Sequence, residues 1–277
     1  MTSTENYAIL KENSKTFYLA SSFLPARVRY KVLNVYAFCR KYDDSADSDI
    51  KIHNPDIDKI ISDLNISNEI INQLKIGIDS DRNFKRLKKI DDLIVYSYRV
   101  AGCVGLMMCE LLDIKNSNDK YYAIDLGIAM QITNICRDVF EDLNMDRIYL
   151  PEEMITNIEV NTEDEKDELF TIITNLIEIS EQYYNSALHG IKKIPFGSRF
   201  SILISLRLYQ AIGRKILKNR KNYFIKKIHT TKFEKFIILL KCLVEFTVSH
   251  TFDKKKQTHD QELHLALSNL PFTNGKV

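Results

Sequence analysis

The chain of 277 residues has enough apolar material for a large core, since 45% of its residues are hydrophobic and 10% are aromatic. A formal net charge of +2 is too small to indicate nucleic-acid binding by itself. The chain holds only 8 glycines and 5 prolines, and its apolar residues recur mostly at spacings of three and four. We therefore predict an all-α protein. We expect one domain over residues 1–277, with a polar, loosely ordered tail from about residue 251.

Cysteine usage and the absence of targeting signals favour a cytoplasmic protein. The 5 cysteines include no C-x-x-C pair, which favours reduced thiols over a disulfide framework or a structural zinc site. The first residues lack the basic start and apolar centre of a signal peptide. No uninterrupted apolar run approaches the roughly 20 residues of a membrane-spanning helix. We expect a soluble protein or one attached peripherally to the inner face of the membrane.

The first part of the chain has a helical pattern from Thr4 to Ser22, and Pro25 follows it as a break. Within this pattern, Ser14, Lys15 and Thr16 group two hydroxyls and an ammonium. Such a group suits a phosphate, and it is also common on solvated surfaces. The residues alone leave both interpretations open.

A first acidic row lies in the predicted helix from Ala26 to Ser48. Its stripe changes from apolar through aromatic and cationic to acidic at spacings of three and four, in the order Leu33, Tyr36, Arg40, Asp43 and Asp47. Asp44 lies roughly 100° away from Asp43 around the helix, so we expect a different role for it, such as pairing with an arginine. Acids at a helix C-terminus oppose the helix dipole, which favours a functional reason for them. The row lacks the glycine and closing glutamate of an EF-hand loop.

A second polar row lies between Gly127 and Pro151. The polar residues follow one another on one helix face, with Glu141 beside them: Gln131, Asn134, Asp138 and Asp142. Apolar residues separate them, so we expect the carboxylates to point into an interior space. Two buried carboxylates within about 6 Å of each other need a compensating cation, and a divalent metal is the simplest one. An exposed acidic helix is the alternative for this segment taken alone.

The sequence between the two rows is less informative. We expect a loop and a short helix over Ile50 to Asn68, and further acids brought towards the interior by Gly77 to Asp81. The apolar stretch from Leu93 to Leu112 contains Gly102 and Gly105, which cost about 1 kcal/mol each in a helix relative to alanine. Tight helix packing and a substrate channel explain these glycines equally well. No G-x-G-x-x-G segment is present, so nicotinamide binding has no sequence support.

The second half of the chain contains two amphipathic segments and a basic patch. The segments run from Leu169 to Leu188 and from Phe200 to Leu217. The basic patch runs from Arg214 to Lys235 and contains Glu234 as its single acid. Its cations are Arg214, Lys215, Lys218, Arg220, Lys221, Lys226, Lys227, Lys232 and Lys235. The patch is expected either to attract diphosphates or an anionic membrane, or to be a solvated basic face.

Four motifs in order resemble the squalene and phytoene synthase family, the head-to-head class of trans-isoprenyl diphosphate synthases. They are SKTFYLASSFLP at 14–25, YAFCRKYDDSAD at 36–47, YSYRVAGCVGLMM at 96–108, and the Q-x-x-N-x-x-R-D-x-x-x-D core within 127–151. LYQAI at 208–212 is a weaker match. The segments GIAMQ, YRVAG and VGLMM are most similar to the corresponding segments of bacterial phytoene synthases. The C30 enzymes of the family have similar segments as well.

The resemblance implies the all-α isoprenoid synthase fold, a single helical bundle around a deep apolar cavity with two aspartate-rich rows facing each other at its mouth. It implies Mg²⁺, or Mn²⁺ in its place, because these ions prefer oxygen ligands. The implied metal ligands are Asp43, Asp47, Asn134, Asp138 and Asp142. The ions neutralise the leaving diphosphate and favour ionisation of the allylic carbon–oxygen bond. The expected partners are prenyl diphosphates and, peripherally, a membrane, but no nucleic acid.

The implied reaction joins two prenyl diphosphates head to head through a cyclopropyl diphosphate intermediate. We expect two geranylgeranyl diphosphates to give phytoene, a step of carotenoid biosynthesis. One alternative is a C30 enzyme that converts two farnesyl diphosphates to presqualene diphosphate, squalene or dehydrosqualene. NADPH is needed only if the product is squalene. An alternative of another class is a catalytically silent helical assembly factor of the same fold.

The resemblance also implies roles for individual residues. The positions that the family uses around the diphosphates are Ser14, Thr16, Phe17, Tyr36, Arg40, Gln131, Asn134, Arg137 and Tyr209. Tyr96 matches the tyrosine linked to proton removal or cation stabilisation, and with Asp43, Asp47, Asp138 and Asp142 it forms the implied catalytic set. The segment before Tyr96 is shorter than is usual in the family, and Phe140 stands where a smaller residue is frequent. Lys226 and Lys227 lie near the family's C-terminal arginines, although lysine cannot bind a phosphate in the same bidentate manner.

Overall fold

The structure is a computed structural model that describes residues 3–47, 66–252 and 258–273, with side chains described for 5–44, 66–248 and 258–273. These parts of the chain are helical and contain no strand, which confirms the predicted all-α class. The α-helices are, in chain order, α1 (Ser3–Asn13), α2 (Lys15–Ser21), α3 (Ala26–Asp47), α4 (Asn68–Asp79), α5 (Ile90–Ser97), α6 (Cys103–Leu111), α7 (Ser117–Leu143), α8 (Glu163–Gly190), α9 (Phe196–Lys218), α10 (Arg220–Tyr223) and α11 (Lys232–Phe252). A π-helix (Tyr98–Gly102) joins α5 to α6, and 3₁₀ helices occupy Ile191–Lys193 and Gln261–Leu267. Most of the loop and short helix predicted before α4 lies outside the described residues.

The predicted helix from Thr4 to Ser22 is instead two helices that meet at Ser14. Ser14 has extended backbone angles, φ −144° and ψ 93°, and its hydroxyl accepts a hydrogen bond from the backbone N–H of Phe17 at 3.2 Å. This is the geometry of an N-cap residue, which satisfies a backbone donor that has no partner inside the helix. The hydroxyl and lysine group noted in the sequence therefore lies at the start of α2.

The centre of the bundle is formed by α7 and α8. On α7, Ile124, Ile128 and Ile132 are fully buried. α8 begins with a capping box, in which Thr162 caps the backbone N–H of Glu165 and the Glu165 carboxylate accepts from the backbone N–H of Thr162. α7 therefore lies in the core, and the polar residues on one of its faces belong to the candidate site described below.

Glycines allow α7 to pack against the preceding helical segment at backbone distance. A Cβ atom on Gly105 would lie 2.1 Å from the carbonyl oxygen of Ala123, and one on Gly127 would lie 2.3 Å from that of Ala101. Neither position has room for a side chain. Tight packing is therefore confirmed at Gly105. Ala101, Gly105 and Gly127 also line the pocket described below, and the substrate-channel interpretation stays a prediction. The π-helix between α5 and α6 belongs to this preceding segment, and π-helical turns often occur at functional sites.

One continuous helical span, Ile90–Leu111, is long and apolar enough to cross a membrane by length and composition alone. The sequence patterns did not indicate such a span. In the structure it packs inside the bundle, and Leu93, Tyr98 and Leu106 are fully buried. This burial is typical of the core helix of a helical domain.

The C-terminal residues 258–273 pack against the bundle. The hydroxyl of Tyr98 donates to the carbonyl oxygen of Pro271 at 2.6 Å, and that of Tyr183 donates to the carbonyl oxygen of Leu263 at 2.8 Å. His264 and Leu267 are both fully buried. These residues belong to the tail that was expected to be loosely ordered from about residue 251, and their apolar and imidazole side chains contribute to the core.

Candidate active site

An apolar pocket of about 300 Å³ lies within the bundle. Its walls come from α1–α3, the π-helix, α6, α7, the end of α8, and α9. Along α7 the lining runs from Asp119 to Asn134, which corresponds to about 22 Å of helix. The predicted apolar cavity is therefore present. Tyr36 of α3 and Asn134 of α7 both contribute to its wall, and the two acidic rows follow them on these helices.

On α3, the row is organised by Arg40. Its guanidinium lies 2.5 Å from a carboxylate oxygen of Asp44 and 3.4 Å from one of Asp43. The prediction that Asp44 pairs with an arginine is confirmed. The Nε atom of Arg40 is buried and makes no hydrogen bond within the part of the chain that the structure describes, so it retains donor capacity for an anion. The side chain of Asp47, at the end of α3, lies outside those described.

On α7, Asp138 is held by two cations. The Nε and a terminal nitrogen of Arg137 donate to its two oxygens at 2.7 and 2.5 Å. The ammonium of Lys227 lies 2.9 Å from Oδ1 of Asp138 and also contacts Glu141. Burial alone would raise the pKa of Asp138, but the hydrogen bonds from Arg137 and Lys227 lower it below its usual value. Asp138 is therefore held in its ionised form.

Asp142, one turn further along α7, has the opposite electrostatics. Burial, together with the charges of Asp138 and Glu141, raises its pKa to about 7. The side-chain oxygen of Asn134 is buried and accepts no hydrogen bond within the described residues. A carboxyl that resists ionisation and an unsatisfied amide oxygen both indicate a local shortage of positive charge. This set of oxygen donors fits a hard divalent cation such as Mg²⁺.

The start of α2 meets α7 and α9 at the same end of the pocket. Burial raises the pKa of the Tyr209 hydroxyl, while hydrogen bonds with Ser14 and Asn134 act to lower it. The ring of Phe17 lies 5.1 Å from that of Tyr209 and 6.4 Å from that of Tyr36. Four helices thus bring together residues that the family resemblance implied around the diphosphates.

Lys235 adds a cation to this end of the pocket. Its ammonium donates to the hydroxyl of Thr16 at 3.3 Å. Burial and the charge of Lys15 lower the pKa of Lys235, so a neighbouring anion would be favoured there. Sequence reasoning included Lys235 only in the basic patch and gave it no role of its own.

Tyr96 lies in a hydrogen-bonded cluster around Asp81. The hydroxyls of Tyr96 and Tyr149 donate to separate oxygens of Asp81, each at 2.9 Å, and the two rings stack with centroids 5.0 Å apart. Burial, Tyr149 and Asp81 raise the pKa of Tyr96 well above its ordinary value. Asp81 comes from the segment expected to bring acids towards the interior, but its tyrosine partners could not be predicted from the sequence.

The Tyr96 cluster is connected to the second acidic row rather than to the pocket wall. A guanidinium nitrogen of Arg147 donates to the backbone oxygen of Asp81 at 3.2 Å. The backbone N–H of Arg147 donates to the backbone carbonyl oxygen of Asp142 at 3.0 Å. The described lining of the pocket includes Val100, one turn after Tyr96, and does not include Tyr96 itself.

Much of the predicted basic patch is paired with acids. Arg214 lies 3.0 Å from Glu181, Lys215 lies 2.7 Å from Glu234, and Arg220 lies 2.5 Å from Asp167. Lys227 is directed at Asp138, as described above. These pairs argue against a uniform solvated basic face, and they connect the patch to the acidic row through Lys227.

Known proteins share both the sequence and the fold of this chain. The family model described as squalene/phytoene synthase matches residues 10–64 and 57–234. The phytoene synthase of Rhodobacter capsulatus is 27% identical over 283 residues, covering 91% of this chain and 84% of its own. The 15-cis-phytoene synthase of Paracoccus sp. is 29% identical over 273 residues, covering 86% and 89%.

A crystal structure of a dehydrosqualene synthase in complex with ligand is 30% identical, with a TM-score of 0.76, and the match covers 89% of this chain and 96% of that one. The structure of YisP from Bacillus subtilis has the same fold, with a TM-score of 0.70 at 20% identity over 86% of this chain and 94% of that one. Because the family model spans most of the chain, and the helices form the corresponding fold, the protein belongs to the squalene/phytoene synthase family.

Proposed function

We propose that this protein, acting as one domain over residues 1–277, joins two geranylgeranyl diphosphates head to head to give phytoene. One observation supports this function most directly: a long apolar pocket runs to the same ends of α3 and α7 that carry the acids and arginines. The names of the phytoene synthase relatives favour C20 substrates. The dehydrosqualene synthase neighbour supports a C30 enzyme acting on farnesyl diphosphate as the second candidate.

The apolar wall and the polar end of the pocket bind different parts of the substrate. The apolar wall takes the prenyl chain, because each buried methylene contributes about 0.8 kcal/mol. Arg40, Arg137 and Lys235 supply positive charge for the diphosphate, and the hydroxyls of Ser14 and Thr16 supply hydrogen bonds. Arg40 is prepared for this role, since Asp44 fixes its terminal nitrogen while its Nε keeps its donor.

Asn134, Asp138, Asp142 and Asp43 are the residues that would hold Mg²⁺, or Mn²⁺ in its place, with Asp47 proposed as a further ligand. When bound, a divalent ion supplies the positive charge that stabilises the departing diphosphate. The chain prepares these ligands in different ways. Arg137 and Lys227 keep Asp138 ionised, whereas Asp142 holds a proton that it can release near neutral pH.

After the diphosphate departs, the pocket must protect a carbocation from water. Its apolar wall excludes water, and the electron-rich faces of Phe17 and Tyr36 stabilise positive charge beside them. Tyr96 stays a neutral phenol because its pKa is raised, and Asp81 accepts its proton in a hydrogen bond. We assign this pair to the final loss of a proton: after the cluster moves towards the pocket, the Tyr96 oxygen takes the proton from the cation while its own proton passes to the Asp81 carboxylate, which becomes the neutral acid.

The decisive experiment is a product assay. Purified protein is incubated with Mg²⁺ and either geranylgeranyl or farnesyl diphosphate, and the extracted lipids are analysed. We expect a C40 product from the first substrate. Asp138→Asn should lower the rate by about 100-fold or more, in the range typical for loss of a group that stabilises developing charge. The matched control is Asp167→Asn, which breaks the surface pair with Arg220 and should leave the rate unchanged.

A folded protein that forms neither a C40 nor a C30 product would contradict the proposal and favour the catalytically silent assembly factor. A C30 product from farnesyl diphosphate alone would select the second candidate. An Asp167→Asn variant as impaired as Asp138→Asn would show that the loss is not specific to the acidic row.

We also propose that the protein is cytoplasmic and contacts the inner face of the membrane through α11. One side of this helix exposes apolar residues at helical spacings: Phe233, Phe236, Leu240, Leu243 and Val244. Flotation with anionic vesicles tests this contact. Phe233→Ser combined with Leu240→Ser should abolish flotation, while Ile76→Ser, at an exposed apolar residue on α4, should not. Failure of the unmodified protein to float would contradict membrane contact.

A further inference from the structure

Asp125 is a fully buried carboxylate that the proposed reaction does not use. It lies on α7, and its side chain is 0% exposed. A buried carboxylate is costly unless positive charge or hydrogen-bond donors compensate it. Two of the compensating groups come from the C-terminal residues 258–273, which lie far away in the sequence.

Two imidazoles and one hydroxyl meet this carboxylate. The Nε2 atom of His259 lies 2.8 Å from Oδ2, and that of His264 lies 2.9 Å from Oδ1. The hydroxyl of Ser186, on α8, donates to Oδ2 at 2.5 Å. The two imidazole side chains are only 2% and 0% exposed. One ligand atom from each of Asp125, His259 and His264 lies within 4.8 Å of the others.

Aromatic rings enclose the cluster. The ring of Tyr121 lies 5.3 Å from that of His259 and 5.7 Å from that of His264, and the ring of Tyr122 lies 5.4 Å from that of His259. Tyr122 also lines the pocket, so the cluster lies directly behind the pocket wall. This closed apolar surrounding is typical of structural metal sites, which exclude solvent from their ligands.

The donor set of the cluster suits a metal ion. Asp125 offers a carboxylate oxygen, and His259 and His264 each offer an imidazole nitrogen, which makes three ligands. Nitrogen ligands are poorly suited to Mg²⁺ and well suited to zinc and its neighbours in the first transition row. Ser186 holds the carboxylate in place, as outer-shell partners do in metal sites.

We propose that Asp125, His259 and His264 bind one transition-metal cation of the zinc class, which fastens the C-terminal residues 258–273 to α7 and α8. The site is independent of the proposed prenyl transfer, because it consists of different residues and a different donor set from the oxygen ligands at Asp138 and Asp142. The metal stabilises the folded chain, since unfolding separates its ligands.

The test measures zinc binding on the full chain without a histidine tag, after metal is stripped with a chelator. One equivalent of zinc per chain is expected by elemental analysis, with a melting temperature that rises as zinc is added. Competition with a chromophoric chelator measures the affinity. Ser186→Ala should weaken it by about 10- to 100-fold, as loss of an outer-shell partner typically does. The double variant His259→Gln and His264→Gln should bind no zinc.

The matched control is His189→Gln combined with His229→Gln, which removes two exposed imidazoles and should leave zinc binding unchanged. Absence of zinc from the unmodified chain, or its retention by the double variant at the cluster, would overturn the proposal. If the double variant does not fold, X-ray absorption at the zinc edge of the unmodified protein identifies the ligands of the bound zinc. Two imidazole ligands support the site, and coordination by oxygen alone overturns it.

Discussion

At the scale of single residues, Asp142 of the second acidic row makes the stability of the folded protein depend on pH. Its pKa is raised from 3.8 to about 7 in the folded protein, so between these values the folded state holds a proton that the unfolded state has released. Stability therefore falls as pH rises through this window. Without divalent metal, the melting temperature of the unmodified protein should fall more steeply between about pH 4 and about pH 7 than that of Asp142→Asn. Parallel pH dependences in the two proteins would refute the assignment.

Asp81 is the second residue that carries a prediction. Its carboxylate accepts from both Tyr96 and Tyr149, whereas an asparagine offers one acceptor oxygen and adds donors. Asp81→Asn should lower kcat by about 100-fold, the lower range for acid–base groups, with little change in KM. Asp79→Asn is the matched control, because Asp79 accepts from Tyr42 outside this cluster. Equal losses in both variants would indicate a structural effect of this segment rather than a role for the cluster in proton removal.

At the scale of helices, the contact between α6 and α7 depends on Gly105. A Cβ atom there would lie 2.1 Å from a backbone oxygen of Ala123, so the helices must separate to admit it. We expect Gly105→Ala to lower the free energy of unfolding by about 1–3 kcal/mol, the usual cost of overpacking. Urea unfolding measures this cost.

Gly197→Ala is the control for helix propensity. Gly197 is exposed at the start of α9, and among the described residues an added Cβ would meet only Pro25, at 3.3 Å. Alanine is favoured over glycine within a helix by about 1 kcal/mol, so this change should be neutral or stabilising. If both alanine variants were equally stable, the close approach of α6 and α7 would not matter energetically.

Several features of individual helices could be predicted from the sequence. Helical spacing is local, so the stripes from Tyr36 to Asp43 and from Gln131 to Asp142 could be recognised directly, as could the pairing of Asp44 with an arginine, which the structure identifies as Arg40. The break at Ser14 was missed, because its side chain competes with the continuing helix for a backbone donor. The metal and substrate roles of these residues, including that of Asp47, stay predictions.

Contacts between distant segments could not be predicted. Tyr149 and Asp81 are 68 residues apart, and Lys227 and Glu141 are 86 apart. Such pairs depend on how the helices pack, which periodicity does not specify. The family resemblance did indicate the fold and the pocket, because ordered motifs carry information about packing. The histidines of the C-terminal residues belonged to no motif, and they were overlooked within a polar tail.

At the scale of the whole molecule, the pocket lies along α7 and ends against residues around Asp119. Ala123 is half-buried and lines the wall near this end. Ala123→Leu should shorten the pocket and raise the preference for farnesyl over geranylgeranyl diphosphate by about tenfold, since each excluded methylene is worth about 1–3 kcal/mol. The ratio of kcat/KM values for the two substrates measures this preference. Ala26→Leu adds the same atoms at an exposed position of α3 and should leave the ratio unchanged. An unaltered ratio in Ala123→Leu would show that chain length is measured elsewhere.

The long sequence separation between Asp125 and its histidine partners has a consequence for folding. His259 and His264 follow Asp125 by 134 and 139 residues. During synthesis, α7 therefore leaves the ribosome with a carboxylate whose partners have not yet been made. The complete core forms only after residues 258–273 have emerged, and contacts of such sequence separation are slow to form. Shortened chains that end before residue 258 would leave this carboxylate without its imidazole partners and should be the first to aggregate or to be degraded.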